Sequence, residues 1–316
     1  MGSKVKAFDN LSRILSEDNS CANDARVSIS LKKTIWMTAV YLITIIGCYL
    51  TYSIENLYLF LFCSAFVLLF GHSLGMHRRL IHKSYKCQKW FEYLGVYMGT
   101  LVGIAGPFGM ITAHDLRDWA QRKATCHKFF SQVNNPFQDW YWQIFCKVTL
   151  AKPPVFEIES EVYNDKFYKF IEKYWIEINI PWVLLFYYIG GIDFVIWGIF
   201  TRIAACVTGH WLIGYFAHNN GEMHYKVKNA GVQGYNIWFC GLITMGESYH
   251  NNHHAFPFSA KIAIEKWQID PCWWALKILE KLKIVSELQT YENTIQTKEI
   301  EYLNNNLGKE VIYGKI

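Results

Sequence analysis

The residues best suited to chemistry lie at 246–257, where GESYHNNHHAFP sets three imidazoles, His250, His253 and His254, within five residues. On a helix, residues three and four apart are surface neighbours, so all three rings would share one face. Neutral imidazole suits first-row transition metals, iron and zinc among them, and is protonated too seldom at neutral pH to act as a solubilising charge. The cluster therefore reads as a metal site. The competing reading is a polar surface turn rich in Asn and His.

All eleven histidines fall between His72 and His254, and the apolar runs of the chain decide where they meet. With 52% hydrophobic and 17% aromatic residues and a mean hydropathy of +0.07, the 316 residues describe a membrane protein with sizeable aqueous parts. Uncharged runs at 35–52 and 57–76 are each about long enough to cross a bilayer, with a short break between them. Arg26, Lys32 and Lys33 precede this hairpin, its turn has no Lys or Arg, and Arg78, Arg79, Lys83, Lys86 and Lys89 follow, which puts both ends in the cytosol. A second hairpin is expected at 176–191 and 194–216, with its turn around Asp193. The chain then reads as a multi-pass integral membrane protein with cytosolic termini.

The remaining segments sort by composition. The polar residues 1–34 do not read as a secretory signal and form a cytosolic segment. Residues 88–113, rich in Gly and containing Pro107, suit an interfacial segment, and residues 139–175 suit amphipathic helices on the cytosolic face. The tail at 291–316 is polar and solvated. Nine cysteines without a C-x-x-C pair are free thiols of a reducing compartment. A net charge of +5 without a basic stripe argues against nucleic acid as a partner and for an anionic membrane surface. Topology carries His72, His77 and His82 to the end of the second span, and His210 and His218 to the end of the fourth.

This arrangement resembles the membrane-bound acyl-CoA desaturase family of the delta-9 type, in which three histidine boxes hold a di-iron centre above a four-helix transmembrane base. The resemblance covers residues 35–290. The first box is matched by His77 and His82 in GMHRRLIHKSYK, and the third by His250, His253 and His254. A further family histidine corresponds to His218 in HWLIGYFAH, and the family's tryptophan-bearing C-terminal helix resembles DPCWWALKILEKL. The fold so implied is all-α, with four transmembrane helices in two hairpins capped by a cytosolic helical domain that holds the metals.

The second box departs from the family pattern, Arg-Asp-His-x-x-His-His. Arg117 and Asp118 are present, but Trp119 stands where the first histidine belongs. Inserting four residues aligns CHKF at 126–129 with the rest, which keeps His127 and puts Cys126 in place of its neighbour. Two of nine expected histidines are then missing. His114 and Asp118 are four apart and share a helical face, so they could supply an imidazole and a carboxylate. The resemblance instead gives Arg117 and Asp118 to the acyl-CoA headgroup, and leaves His114 either a ligand or a hydrogen-bond partner of one. His77 and His82 lie about 140° apart on a straight α-helix, so they serve two metals or sit where the helix ends. Trp211 corresponds to a tryptophan beside the family's substrate tunnel and equally suits an interfacial belt. His72 and His210 match structural positions, and His224 reads as a surface histidine.

What the resemblance implies is a di-iron oxygenase that places a cis double bond in a long-chain acyl thioester, carried by CoA or another acyl carrier. Two Fe2+ ions would be held by His77, His82, His114, His127, His218, His250, His253 and His254, with Arg117, Asp118 and Trp211 on the substrate. Molecular oxygen is the co-substrate. Electrons come from an external donor of cytochrome b5 or ferredoxin type, since the chain has no haem or iron–sulfur motif. Altered ligation leaves open a related fatty acid hydroxylase or decarboxylase, and outright ligand loss a non-catalytic lipid-binding membrane protein.

Overall fold

The structure, a computed structural model, describes residues 13–294 and 299–303. Residues 1–12 and most of the polar tail lie outside the described residues. In chain order come β1 (Ile14–Ser16), β2 (Cys21–Ile29), α1 (Leu31–Leu50) and α2 (Ile54–Phe66), which runs on as a π-helix over Val67–Ile81. Then follow β3 (Lys86–Cys87), α3 (Lys89–Thr100), α4 (Pro107–Gln121), α5 (Lys128–Ser131), α6 (Pro136–Phe145) and β4 (Cys146–Lys152). β5 (Val155–Phe156), α7 (Ser160–Tyr163) and α8 (Lys166–Lys173) lead into α9 (Ile180–Val195) and α10 (Arg202–Asn219). The last elements are β6 (Tyr225–Val227), α11 (His250–Ala255), α12 (Pro271–Lys281), β7 (Val285–Ser286) and β8 (Ile300–Tyr302).

Among the described residues, three helices are long and apolar enough to cross a membrane: Leu31–Leu50, Ile54–Ile81 and Glu177–Asn219. Their apolar side chains turn outward, Ile45 at 69% and Phe62 at 69% exposure among them, as lipid-facing surface does. The turn between the first two is closed by side chains: Ser53 Oγ accepts from Asn56 N–H, and Asn56 Nδ2 donates to the Thr51 carbonyl. The third is 43 residues long but not straight. Gly190 and Gly191 leave the helical region, Gly191 at φ 67°, and Phe186 then lies against Gly198, where an added Cβ would sit 2.6 Å from its ring. Twelve residues of unbroken helix would separate those two by about 18 Å, so the chain doubles back at the glycine pair.

Two glycine pairs fix the crossing of the first-box helix with α3. A Cβ on Gly75 would fall 2.3 Å from the Gly95 carbonyl, and one on Gly71 would fall 2.5 Å from Gly99 N. Backbone meets backbone there, which only glycine permits.

The chain is mostly helical, as expected, at 57% helix, with a few short strands besides. Among the described residues these form four antiparallel pairs, β1 with β5, β2 with β4, β3 with β7 and β6 with β8. The longest sets Val27 opposite Val148 and Arg26 opposite Thr149. It draws on residues expected to be amphipathic helix after Asp139. Alternation of charged and apolar residues with β-branched members has the period of a strand, and this signal wins from Cys146 on. The N-terminal segment is likewise pinned to the body: Arg13, 4% exposed, pairs with Asp115 and Glu159 at 2.8 Å each and reaches the carbonyls of Leu80 and Ile81.

Candidate metal centre

Seven histidines converge into two groups. His77, His82, His114 and His253 form the first, with one ring nitrogen from each within 4.8 Å of the others. His77 and His82 meet in one group, with ring centroids 4.7 Å apart, because the helix carrying them is π and not α. His82 N–H donates to the His77 carbonyl at 3.0 Å, so residues five apart complete one turn and face the same way. α4 brings His114, whose Nε2 lies 3.2 Å from that of His82. α11 adds His253, its ring 4.6 Å from that of His77.

The second group is His218, His250 and His254. His250 Nε2 lies 3.2 Å from His218 Nε2 and 3.0 Å from His254 Nε2. The third box is therefore shared out: the pair four apart faces His218, and His253 between them faces the other group. A helix of six residues is too short to stand by itself. The two asparagines of HNNHH hold it. Asn251 accepts from the backbone of His224 and Tyr225 and donates to the carbonyls of Tyr225 and Gly234. Asn252 donates to Ile262 O and Gln268 Oε1 and accepts from Asn236.

Each group has a ring fixed from behind. His77 Nδ1 lies 2.7 Å from Glu247 Oε2, His114 Nδ1 lies 2.9 Å from Asp115 Oδ1, and His218 Nδ1 lies 2.7 Å from the Gly214 carbonyl. Carboxylate and carbonyl oxygens only accept, so each Nδ1 is the donor, and in the neutral ring Nε2 then turns a lone pair inward. Burial, with the neighbouring imidazoles, pushes His82, His250 and His253 well below the ordinary histidine range, so these rings are neutral at pH 7. Converging imidazole nitrogens that cannot all pair with one another fit a metal ion in each group, iron being one that imidazole suits.

Glu247 and Gln121 complete the site, and the sequence reading passed over both. Glu247 also accepts from Ser73 and meets Arg78 Nε at 3.4 Å, and burial, opposed by His77 and Arg78, leaves its carboxyl well below the usual range. It stands three residues before His250, inside the very stretch singled out for its histidines. Gln121 Nε2 donates to the Phe130 carbonyl at 2.8 Å and to His218 Nε2 at 3.1 Å. It lies seven residues after His114, on the same face of α4, a period the sequence shows plainly.

His127 is not brought to either group. It starts α5, its Nδ1 accepting from Phe129 N–H at 3.2 Å, and its ring stacks on Trp142. α4 ends at Gln121, and the segment after it carries residues 126–127 away from the histidines. Burial pushes the Cys126 thiol up to about 11. Trp119, standing in place of a family histidine, is fully buried in an apolar cluster with Phe129 and Phe130. Arg78, counted above in the topology signal, is buried and holds both oxygens of Asp270 at 2.9 and 3.1 Å.

Arg117, Asp118 and Trp211 line one cavity of about 650 Å3 that also opens on both histidine groups. Arg117 Nη2 donates to Gln143 Oε1 at 2.6 Å and Trp211 Nε1 to Asp139 Oδ2 at 2.9 Å. No protein-family profile matches the chain. An sn-1 stearoyl-lipid 9-desaturase of Anabaena variabilis is 32% identical over 228 residues, which cover 69% of this chain and 78% of the relative. The chain belongs to the fatty acid desaturase family. A second sn-1 stearoyl-lipid 9-desaturase, from Synechocystis, is 30% identical over 227 residues, 69% of this chain and 67% of the relative. An acyl-CoA 5-desaturase of Anemone leveillei is 28% identical over 316 residues, 90% and 95% of the two chains. This desaturase is accordingly an oxidoreductase of lipid metabolism.

Proposed function

We propose that this desaturase holds one iron ion in each histidine group and introduces a cis double bond into a long acyl chain. The observation that carries the reading is that seven imidazoles converge in two groups and that six of them, all but His82, line one cavity with largely apolar walls. Bound iron would activate molecular oxygen, the oxidant, to break C–H bonds of an unactivated methylene, which no side chain can do. Two hydrogens leave the acyl chain with two electrons, an external donor of cytochrome b5 or ferredoxin type adds two more electrons, solvent adds two protons, and O2 leaves as two waters. The protein's part is placement. Met76, Ile81, Ile104, Phe108 and Ile144 line the cavity and would hold the chain extended, free of water, with one methylene beside the histidines. Arg117 would meet the anionic part of an acyl-CoA or other carrier, with Asp118 and Trp211 beside it.

Four spans fit the geometry: α1, α2 with its π-helical continuation, and the two arms that meet at Gly190 and Gly191. Residues 35–290 then make a membrane base and a cytosolic cap, both termini lying on the cap side, where Arg78 to Lys89 gather. Lipid profiling of a host expressing the protein against His253→Ala tests the reading. New monounsaturated chains are expected with the wild type alone; hydroxy acids or terminal alkenes in their place would overturn it.

A further inference from the structure

A second cavity, about 910 Å3, opens on the flank of the molecule between α2, α10 and residues 236–247. Its walls are apolar, Leu61, Ala65, Leu212 and Phe216 among them. Its rim carries Trp238, Phe239, Leu242 and Ile243, which are 57–69% exposed. So dense an apolar patch beside membrane-length helices faces lipid.

This groove and the metal cavity share four residues, His72, His210, Ile213 and Glu247. The partition between them is therefore a single layer of side chains. Glu247 is anchored by Ser73, Arg78 and His77, so the rest of the layer is its movable part. His72 rests edge-to-face on His210 with centroids 5.0 Å apart, and His72 Nδ1 is buried without a hydrogen-bond partner. Rotating that ring breaks no bond at Nδ1. Next to His210, Gly209 lies within α10 although glycine is a poor helix former. A Cβ there would meet nothing within 4 Å, so no neighbouring packing demands glycine, and what it leaves is open space in the groove.

We propose that the groove is a lateral portal, which takes one acyl chain of a glycerolipid from the bilayer and passes it across the His72, His210 and Ile213 layer to the histidine groups. The inference rests on the membrane placement and desaturase reading above and names the source of the chain: a lipid in the membrane, not a soluble thioester. The groove's size lies within the range of about 300–1,000 Å3 usual for small-molecule sites.

The test uses the full chain in nanodiscs of phosphatidylcholine doped with phosphatidylcholine bearing a mid-chain diazirine. After photolysis, labelled residues are mapped by mass spectrometry. Met110 and Leu116 of α4 line the metal cavity and not the groove, so label there reports entry. Wild type should be labelled on α4, and Gly209→Phe should lose that label to background while keeping label on Leu42 of the outward face and keeping its iron. Ala65→Phe, on the opposite wall, should behave likewise, which covers the case in which the first variant fails to fold. An unlabelled α4 in wild type, or unchanged α4 label in both variants, overturns the portal. Labelling needs no turnover, so a labelled α4 with no unsaturated product would sink the desaturase reading and leave the portal standing.

Discussion

Glu247→Gln separates the two histidine groups energetically. The carboxylate lies 2.7 Å behind His77 and so fixes which nitrogen of that ring turns inward and how basic it is. The amide keeps the size and one acceptor oxygen but loses the charge, and its NH2 must face Arg78, Ser73 or His77. Arg78 retains both oxygens of Asp270, so no buried cation is orphaned and the fold should survive, which a thermal melt in detergent would verify. Losing a partner of this kind costs about 10–100-fold in metal affinity, or about 1.4–2.7 kcal/mol. His218 takes its orientation from Gly214, so the second group should be unaffected. Iron-loaded wild type and variant would be titrated with a ferrous chelator and iron per chain counted. One of two irons should leave at about 10–100-fold lower chelator activity in the variant, the other unchanged. Simultaneous loss of both, or no change in either, would refute the argument that Glu247 acts through His77 alone.

Gln121→His should restore a fourth imidazole to the second group and raise its iron retention in the same titration. His127→Ala and Cys126→Ala should keep full iron, while His114→Ala should lose the iron of the first group; iron loss in His127→Ala alone would contradict the placement of that ring on Trp142. Glu92 gives a pH test. Burial raises its carboxyl, but Arg79, Lys89 and Tyr168 outweigh this and hold it below the usual range. A depressed carboxyl contributes stability that is complete above its unfolded value and is lost as pH falls through the folded one. Glu92→Gln should therefore cost about 1–3 kcal/mol at pH 7, read by detergent-phase melts, and the gap should shrink as pH drops below about 4.3. A gap as wide at pH 3 as at pH 7 would refute it.

Much of the candidate site was legible in the order of residues, because GESYHNNHHAFP and GMHRRLIHKSYK carry their histidines at fixed short spacings. What those motifs could not show was how rings are shared out. The 140° argument against His77 and His82 acting together assumed α-geometry, and a π-helix sustained over Val67–Ile81 is rare enough to escape any local pattern. The strand pairs were misread for a different reason: β2 and β4 are more than a hundred residues apart, and pairing at that distance leaves only a faint period-two trace. His127 aligns with the second box only when four residues are inserted, and local likeness of that kind does not fix where a loop runs after its helix ends.

The departure in the second box is one of histidine number. α4 still passes both groups, with His114 supplying the first and Gln121, two turns on, reaching the second. The Gln121 nitrogen that faces His218 must be an amide donor, because the same nitrogen is tied to the Phe130 carbonyl. A donor cannot ligate a cation, so with an ion on His218 Nε2 that N–H would lose this acceptor. Four imidazoles can close a tetrahedral site; three leave a position open. If each group takes one ion, the pair is unequal by construction, and the open position lies in the group that Gln121 guards.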